Sequence, residues 1–198
     1  MINITGHCYL AGFATIALFY IVCGFFCAGW NPWKLVEGFD HCTSTSKAQF
    51  FIWTIAALFG YTTFFIAWLH QSLTIKGPIP NFPGMSPWLA SAMGLSGSTA
   101  IAAKGITTEY VRKGRIKKPL GTDLKGGLFL DDTGFPELVK IQLIAWTIIA
   151  IGVFLAKLSL QIHRKDFSVF PDVDGTLLAL LGIGQGTYIG KRLASRDP

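Results

Sequence analysis

Two stretches decide the fold: residues 47–57 read KAQFFIWTIAA, and residues 140–150 read KIQLIAWTIIA. At a shift of 93 positions, the lysine, glutamine, tryptophan and threonine of the first stretch fall on identical residues of the second. The similarity extends over residues 35–70 and 128–163. Self-similarity at a fixed shift predicts that a chain is built from equivalent structural units.

The similarity continues beyond these segments at a shift of 88, where Pro83 and Gly94 meet Pro171 and Gly182. Each copy is therefore an apolar run, a loop that contains proline, and a second run rich in glycine and other small residues. This order predicts two helical hairpins that follow a separate N-terminal segment.

The composition indicates an integral membrane protein. Only 14% of the residues are charged, whereas a soluble domain carries about a quarter. Residues 8–30 and 48–69 contain no Asp, Glu, Lys, Arg or His. A run of about 20 apolar residues is long enough to cross the hydrocarbon core of a bilayer as a helix. Both runs are predicted to be transmembrane helices.

Three shorter runs complete the predicted set. Residues 141–156 are flanked by Lys140 and Lys157, whose ammonium groups can reach the two interfaces. Residues 87–103 and 176–189 are less apolar and rich in Gly, Ser and Thr. Taken alone, either run could instead be re-entrant or could require local thinning of the bilayer.

The distribution of basic residues favours five spans. If all five runs cross the bilayer, thirteen of the 17 Lys and Arg residues lie on one side and four on the other. Because basic residues concentrate on the cytoplasmic side, the N-terminus is predicted outside and the C-terminus inside. The predicted fold is an all-α membrane protein with one leading span and two parallel-repeat hairpins. The predicted segments are 1–34, 35–104, the basic cytoplasmic loop 105–127, and 128–198.

The second run of each hairpin carries small residues at every fourth position. Gly182, Gly186 and Gly190 share one helical face in the later copy, as Gly94 and Ser98 do in the earlier one. Small residues allow helices to approach closely in a bilayer. The faces could pack within the chain, form a seam between subunits, or line a pore.

The first run of each hairpin places a glutamine one turn before a tryptophan. Gln49 and Trp53 share a face, as do Gln142 and Trp146. We expect the tryptophans at the membrane interface and a contact between the two glutamine amides across the pseudo-axis. Contact of the glutamines with a substrate or ion is the alternative.

The loop at residues 104–118 holds six basic residues and a single acidic one, Glu109. On the cytoplasmic side such a loop is typical of binding to anionic lipid, at around 1 kcal/mol per charge. An acidic protein partner is the alternative, and the scarcity of aromatic residues in the loop argues against nucleic acid. The predicted contact residues are Arg112, Lys113, Arg115, Lys117 and Lys118.

No catalytic or cofactor site is predicted. The five runs contain no acidic residue, and no nucleophile stands beside a base in the loops. His70 and His163 end the first run of each copy, where a pair of histidines could hold a haem or metal. A second pair of ligands at that level is absent from the sequence, so exposed interfacial histidines are the simpler interpretation.

The pattern Asp-Asp-x-Gly-x-Pro-x-Leu/Val-x-Lys-x-Gln-x-x-x-Trp-Thr lies at residues 131–147. Pro-Asp-x-Asp follows at 171–174, and Leu-x-Gly-x-x-Gln-Gly-x-Tyr-x-Gly-Lys at 180–191. These motifs resemble a group of uncharacterised bacterial multi-pass membrane proteins with tandem Lys-x-Gln-x-x-x-Trp-Thr hairpins, over residues 33–194. The resemblance implies a multi-helix membrane fold and no particular mechanism.

Two functions fit the sequence. One is a non-enzymatic, homo-oligomeric scaffold or anchor whose basic loop and tail hold a cytoplasmic partner. The other is a pore assembled through the glycine-rich faces. The absence of charged rings at the ends of the runs favours the scaffold.

Overall fold

A computed structural model of the protein describes residues 4–26, 30–31, 33–37, 43–74, 81–113, 127–130 and 134–194. Within these ranges the chain is all-helical apart from two isolated β-bridges, as predicted. The helices are α1 (Ile4–Phe26), α2 (Trp33–Val36), α3 (Thr45–Thr74), α4 (Pro87–Arg112), α5 (Leu138–Arg164) and α6 (Gly175–Ala194).

Three of the described helices, α1, α3 and α5, are long and apolar enough to cross a membrane. They coincide with the three most apolar runs of the sequence. Helices α4 and α6 have 26 and 20 residues but carry more Gly, Ser and Thr. The structure therefore supports a helical membrane protein with three strong candidates for spanning helices.

The helices extend beyond the predicted runs. Helix α4 continues to Arg112, so the expected boundary after residue 104 falls inside a helix rather than at the start of a loop. Glu109 pairs with Arg112 and Lys113 at the end of this helix, and such pairs at i,i+3 and i,i+4 support a helix. The short helix α2 was not predicted.

Helices α3, α4, α5 and α6 form a four-helix bundle in which α3 packs against α4 and α5, and α6 packs against α4 and α5. Helix α1 lies outside the bundle against α3. The core contains the fully buried side chains of Trp53, Phe64 and Phe154.

One end of the bundle is covered by aromatic side chains. Phe82 precedes α4, whereas Phe167 and Phe170 lie between α5 and α6. Their ring centroids lie 6.0, 5.1 and 5.1 Å, respectively, from the ring centroid of Phe64. Aromatic pairs at such distances stabilise packing beyond simple burial. The two loops at this aromatic end are thus fixed over the core.

Backbone interactions before α3 and α5 match at the same shift of 93 positions that the sequence displays. Each segment closes with an isolated antiparallel bridge and with one N–H···O=C bond of 2.8 Å. The matched pairs are Glu37–Thr43 with Leu130–Pro136 for the bridge, and Ser44–Val36 with Glu137–Phe129 for the hydrogen bond.

The matched lysines also have the same role. The Nζ of Lys47 donates to the carbonyl of Glu37, and the Nζ of Lys140 donates to the carbonyl of Leu130. In both cases the lysine bonds a carbonyl ten residues earlier and holds the preceding turn against the first turn of the helix. Lys47 and Lys140 thus each stabilise the turn that precedes their helix.

The starts of α4 and α6 match at the shift of 88. The Ser86 hydroxyl accepts from the N–H of Trp88 at 3.2 Å, and the Asp174 carboxylate accepts from the N–H of Thr176 at 2.9 Å. Both are N-caps, which satisfy backbone donors that the first turn of a helix leaves free.

The cap at Asp174 predicts a pH dependence of stability. Hydrogen bonds from the N–H groups of Thr176 and Leu177 hold the pKa of the Asp174 carboxyl below its ordinary value. Because the folded-state pKa is depressed, the stabilisation is present above the unfolded-state pKa of about 3.9 and is lost as pH falls through the folded-state value.

We therefore expect Asp174→Ala to lower the free energy of unfolding at neutral pH and to remove this acid-dependent component. Asp174→Ser, which copies the cap of α4, should retain most of the stability without the titration. Denaturant unfolding in detergent between pH 2 and 7 measures both effects. Identical pH profiles for all three proteins would contradict the assignment.

Candidate functional site

Five polar side chains meet at the centre of the four-helix bundle, and we call them the polar network. Gln49 comes from α3, Ser96 and Thr99 from α4, Thr147 from α5, and Gln185 from α6. None is more than 6% exposed. Buried polar groups are costly unless they are hydrogen-bonded, so their partners decide what the site can do.

The two glutamine amides connect the four helices. Gln49 Nε2 donates to Thr147 Oγ1 at 2.9 Å, and Gln185 Nε2 donates to Gln49 Oε1 at 3.2 Å. Gln185 Nε2 also lies 3.3 Å from Ser96 Oγ. The single Thr99 hydroxyl proton is shared between the carbonyl of Leu95 at 2.8 Å and Gln185 Oε1 at 3.0 Å. Gln185 alone therefore bonds to α3 and to two positions on α4.

The hydroxyl groups of the polar network also bond within their own helices. Ser96 donates to the carbonyl of Ala92, and Thr147 donates to that of Leu143. Their oxygens are then free to accept from the glutamine amides. No buried nitrogen or oxygen of the polar network lacks a partner. This arrangement joins the helices to one another through buried side chains.

The predicted contact between Gln49 and Gln142 is not formed. Gln49 bonds Thr147 and Gln185 instead, while Gln142 lies exposed on α5. The buried residues at the start of α5 are Lys140, Leu143, Ile144 and Thr147. Leu143 and Thr147 lie one position after Gln142 and Trp146, the counterparts of buried Gln49 and Trp53. Since one residue turns a helix by about 100°, this offset moves the second glutamine off the inward face.

The tryptophans also differ from their expected place. Trp53 has no exposed surface and lies in the core, whereas Trp146 is half-buried beside it. Trp53 is therefore a packing residue of the core.

The small residues of α4 and α6 face outward. Gly94, Ser98, Gly186 and Gly190 are exposed, and Gly182 is half-exposed. A Cβ atom built at any of these glycines would meet nothing within 4 Å. We call these surfaces the small-residue faces; among the described residues, nothing packs closely against their glycines.

Close helix approach occurs at glycines that the sequence analysis did not select. A Cβ at Gly60 would lie 2.5 Å from Phe154 Cζ, where α3 crosses α5. A Cβ at Gly12 would lie 2.2 Å from Thr63 Oγ1, where α1 crosses α3. Both are isolated glycines in runs of large apolar residues. This contrast in size is the feature of the sequence that could have indicated a helix crossing.

Charged residues gather at the end of the bundle opposite the aromatic end. Buried Glu137 lies 3.2 Å from Lys140 and 3.0 Å from Lys191. Arg192 donates to Thr107 at 3.0 Å. We call this the ionic end; it joins the start of α5 to the end of α6, and the end of α6 to the end of α4.

The basic residues at the end of α4, Arg112 and Lys113, form ion pairs. Glu109 lies 2.9 Å from Arg112 and 3.1 Å from Lys113, and these partners hold the pKa of its carboxyl below the ordinary value. Exposed ion pairs contribute little stability, so both cations remain available to an anionic surface. Arg115, Lys117 and Lys118 lie outside the described residues.

In the described ranges, no three His, Cys, Asp or Glu side chains are grouped closely enough to hold a metal ion. His70 and His163 are both exposed. No protein-family model matches the chain, and neither the curated proteins nor the solved structures contain a significant match. Function is therefore inferred from the geometry of the chain itself.

Proposed function

We propose that this protein is a non-enzymatic membrane scaffold whose copies associate through the small-residue faces of α4 and α6. The observation that carries the proposal is the outward position of these faces: a Cβ built at Gly94, Gly186 or Gly190 would meet no described atom within 4 Å. In a bilayer, close backbone approach over small residues is a main source of helix association.

The outer surface of α1 provides the contrast. Leu10, Phe13, Leu18 and Phe25 are each at least 60% exposed, and large apolar side chains of this kind suit contact with lipid tails. The small-residue faces offer little apolar area to lipid. Exposed Ile183 stands beside Gly182 and Gly186 and supplies a side chain that can pack into the small-residue face of a second copy.

The proposal includes α4 and α6 as membrane spans. At 1.5 Å per residue, their 26 and 20 residues reach about 39 and 30 Å, which is sufficient for a hydrocarbon core of roughly 30 Å. Their lower hydropathy is tolerated because one face packs inside the bundle and the other against a second copy.

The proposal also treats the chain as a leading span followed by two copies of one hairpin. The matched bridges before α3 and α5, the matched lysines and the matched caps of α4 and α6 support this interpretation. The polar network uses positions that do not correspond between the copies, so the two hairpins have diverged at their centre.

By the positive-inside rule, we place the ionic end in the cytoplasm. There the exposed side chains of Arg112 and Lys113, with the basic residues that follow them, would contact anionic lipid or an acidic cytoplasmic partner. Lys191 and Arg192 are held by Glu137 and Thr107, so the end of α6 contributes to the stability of this surface.

Substitution of a glycine on the small-residue face tests the association. Gly186→Leu should convert a homo-oligomer to monomers, because the new side chain prevents close backbone approach. Native mass spectrometry from lipid nanodiscs measures the stoichiometry. Gly152→Leu is the control, since Gly152 is exposed on α5, away from the small-residue faces.

A monomeric wild-type protein in nanodiscs would contradict the proposed association. Dissociation by Gly152→Leu but not by Gly186→Leu would place the seam on α5 instead.

A pore between copies is the second candidate, because the exposed residues Ser98 and Thr187 place hydroxyl groups on the small-residue faces. However, both hydroxyls donate to carbonyls of their own helices, those of Leu95 and Ile183. This leaves fewer donors for a permeating ion or for water. A current across reconstituted bilayers that Gly186→Leu abolishes would favour the pore over the scaffold.

A further inference from the structure

A cavity of about 340 Å³ opens at the aromatic end, between the last turns of α5 and the loop that returns toward α6. None of its lining residues belongs to the polar network or to the small-residue faces, and nothing in the proposed scaffold function uses it. The lining side chains on which the inference rests are Lys157, Leu160, Gln161, Arg164, Asp166, Val169 and Asp172.

The cavity follows from how α5 ends. Gln161 and Arg164 lie one turn apart on the helix face that also carries Lys157. The chain then reverses at Lys165, which is left-handed with φ 56°, and the N–H of Asp166 donates to the carbonyl of Gln161. This reversal lays the loop back across that face of α5 and leaves a space between them.

Charges of both signs surround the cavity. Lys157 and Asp172 form an ion pair of 2.9 Å on one side. Arg164 and Asp166 are both exposed on the other side, and no described carboxylate lies within 4.0 Å of the Arg164 guanidinium. Asp166 accepts from the N–H and hydroxyl of Ser168, which lowers the pKa of its carboxyl and keeps it ionised at neutral pH.

The side-chain carbonyl of Gln161 is buried and has no hydrogen-bond partner. A buried acceptor without a donor is unfavourable, and such atoms in native proteins call for an explanation. This oxygen is inaccessible to a molecule the size of water, so the cavity is lined by other atoms of Gln161.

We propose that this cavity binds a small head group that carries both a primary ammonium and an oxyanion. The oxyanion pairs with Arg164, whose planar guanidinium suits phosphate or carboxylate. The ammonium pairs with the Asp166 carboxylate. Phosphatidylethanolamine and free zwitterions such as phosphoethanolamine share this chemistry.

The rim of the cavity favours the lipid as the source. Leu160 and Val169 line the cavity and are 47% and 61% exposed, so they provide apolar contact for the glycerol and upper acyl chain. The cavity also lies at the end of α5, one of the helices that can cross a membrane. A head group would occupy this level of the bilayer.

Lipid binding to the full-length protein in detergent tests the proposal. Thermal unfolding is followed while phosphatidylethanolamine, phosphatidylcholine or phosphatidylglycerol is titrated. We expect phosphatidylethanolamine to raise the melting temperature most, because phosphatidylcholine has no N–H donor and phosphatidylglycerol has no cation. Soluble phosphoethanolamine in a parallel titration separates the lipid from the free zwitterion.

Arg164→Gln should weaken phosphatidylethanolamine binding roughly tenfold to a hundredfold. Lys165→Gln removes the same charge from the adjacent position, which does not line the cavity, and should leave binding unchanged. Gln161→Leu should raise the melting temperature of the lipid-free protein, because it removes a buried acceptor that has no donor.

Equal responses of the wild-type protein to the three lipids would overturn the proposal without reference to any variant. Equal weakening by Arg164→Gln and Lys165→Gln would also overturn it, because the effect would then be one of net charge. Stronger stabilisation by phosphoethanolamine than by the lipid would keep the ligand chemistry and reject the lipid as its source.

Discussion

Gln49→Leu is expected to lower the free energy of unfolding by about 1–3 kcal/mol. The substitution removes the bond from Gln49 to Thr147 and the bond that Gln185 donates to Gln49. Two interhelical bonds at the bilayer average of about 0.6 kcal/mol each set the lower bound. Loss of a buried partner for the Gln185 amide raises the cost above it.

The chain supplies a matched control for this substitution. Gln142 lies in the same local sequence, with Lys two residues before it and Trp-Thr four residues after it, but its side chain is exposed. Gln142→Leu should therefore change stability by less than about 0.5 kcal/mol. Denaturant titration of both variants in the same mixed micelles measures the difference.

Equal losses for the two leucine variants would show that burial in the polar network contributes nothing specific. A double substitution of Gln49 and Thr147 refines the result. If the two side chains act through their mutual bond, the cost of the double variant falls short of the sum of the single costs.

Gly60→Ala is expected to destabilise the protein by about 1–3 kcal/mol, through overpacking at the crossing of α3 and α5. The added Cβ would lie 2.5 Å from Phe154 Cζ and 2.7 Å from Cε1. Phe154 is fully buried, so its ring has no free space into which to move. Helix propensity alone predicts the opposite sign, a gain of about 1 kcal/mol.

Gly152→Ala separates these two effects. A Cβ at Gly152 would meet nothing within 4 Å, so only the propensity term remains and stability should be unchanged or slightly higher. Phe154→Leu in the Gly60→Ala background should recover part of the loss, because it shortens the opposing side chain. A stabilising Gly60→Ala would mean that the two helices separate at little cost.

The helical class and the candidate spans could be predicted because they depend on the absence of charge over long runs, a property of sequence alone. The face of each helix that points into the bundle could not be predicted from the sequence. Helices α3 and α5 are apolar on nearly every side, so periodicity does not indicate which side faces the core. The similar sequences around Gln49 and Gln142 consequently suggested equivalent orientations, whereas the two helices differ by one residue.

The polar network was predicted only in part. Gln49 was selected as a polar contact within the membrane, but Gln185 was not. Gln185 is the only amide in the uncharged run at residues 176–189, and polar groups in such runs usually face the interior of a bundle. That rule would have identified it. Its particular partners depend on how four helices pack, which a single sequence does not reveal.

The glycines illustrate the same limit. Regular spacing drew attention to Gly182, Gly186 and Gly190, which lie at the surface, whereas isolated Gly12 and Gly60 lie at helix crossings. Spacing identifies a shared face, but only the neighbouring helix determines whether that face is covered.

The position of Gln185 has a consequence for biogenesis. Helix α6 follows α3, α4 and α5 in the chain, so Gln49 and Thr99 leave the ribosome before the amide that joins them is synthesised. Until α6 is synthesised, Gln49 Oε1 lacks the donor that Gln185 supplies, whereas Thr99 still donates to the carbonyl of Leu95. Chains truncated before α6 should therefore be preferred substrates for membrane chaperones and proteases.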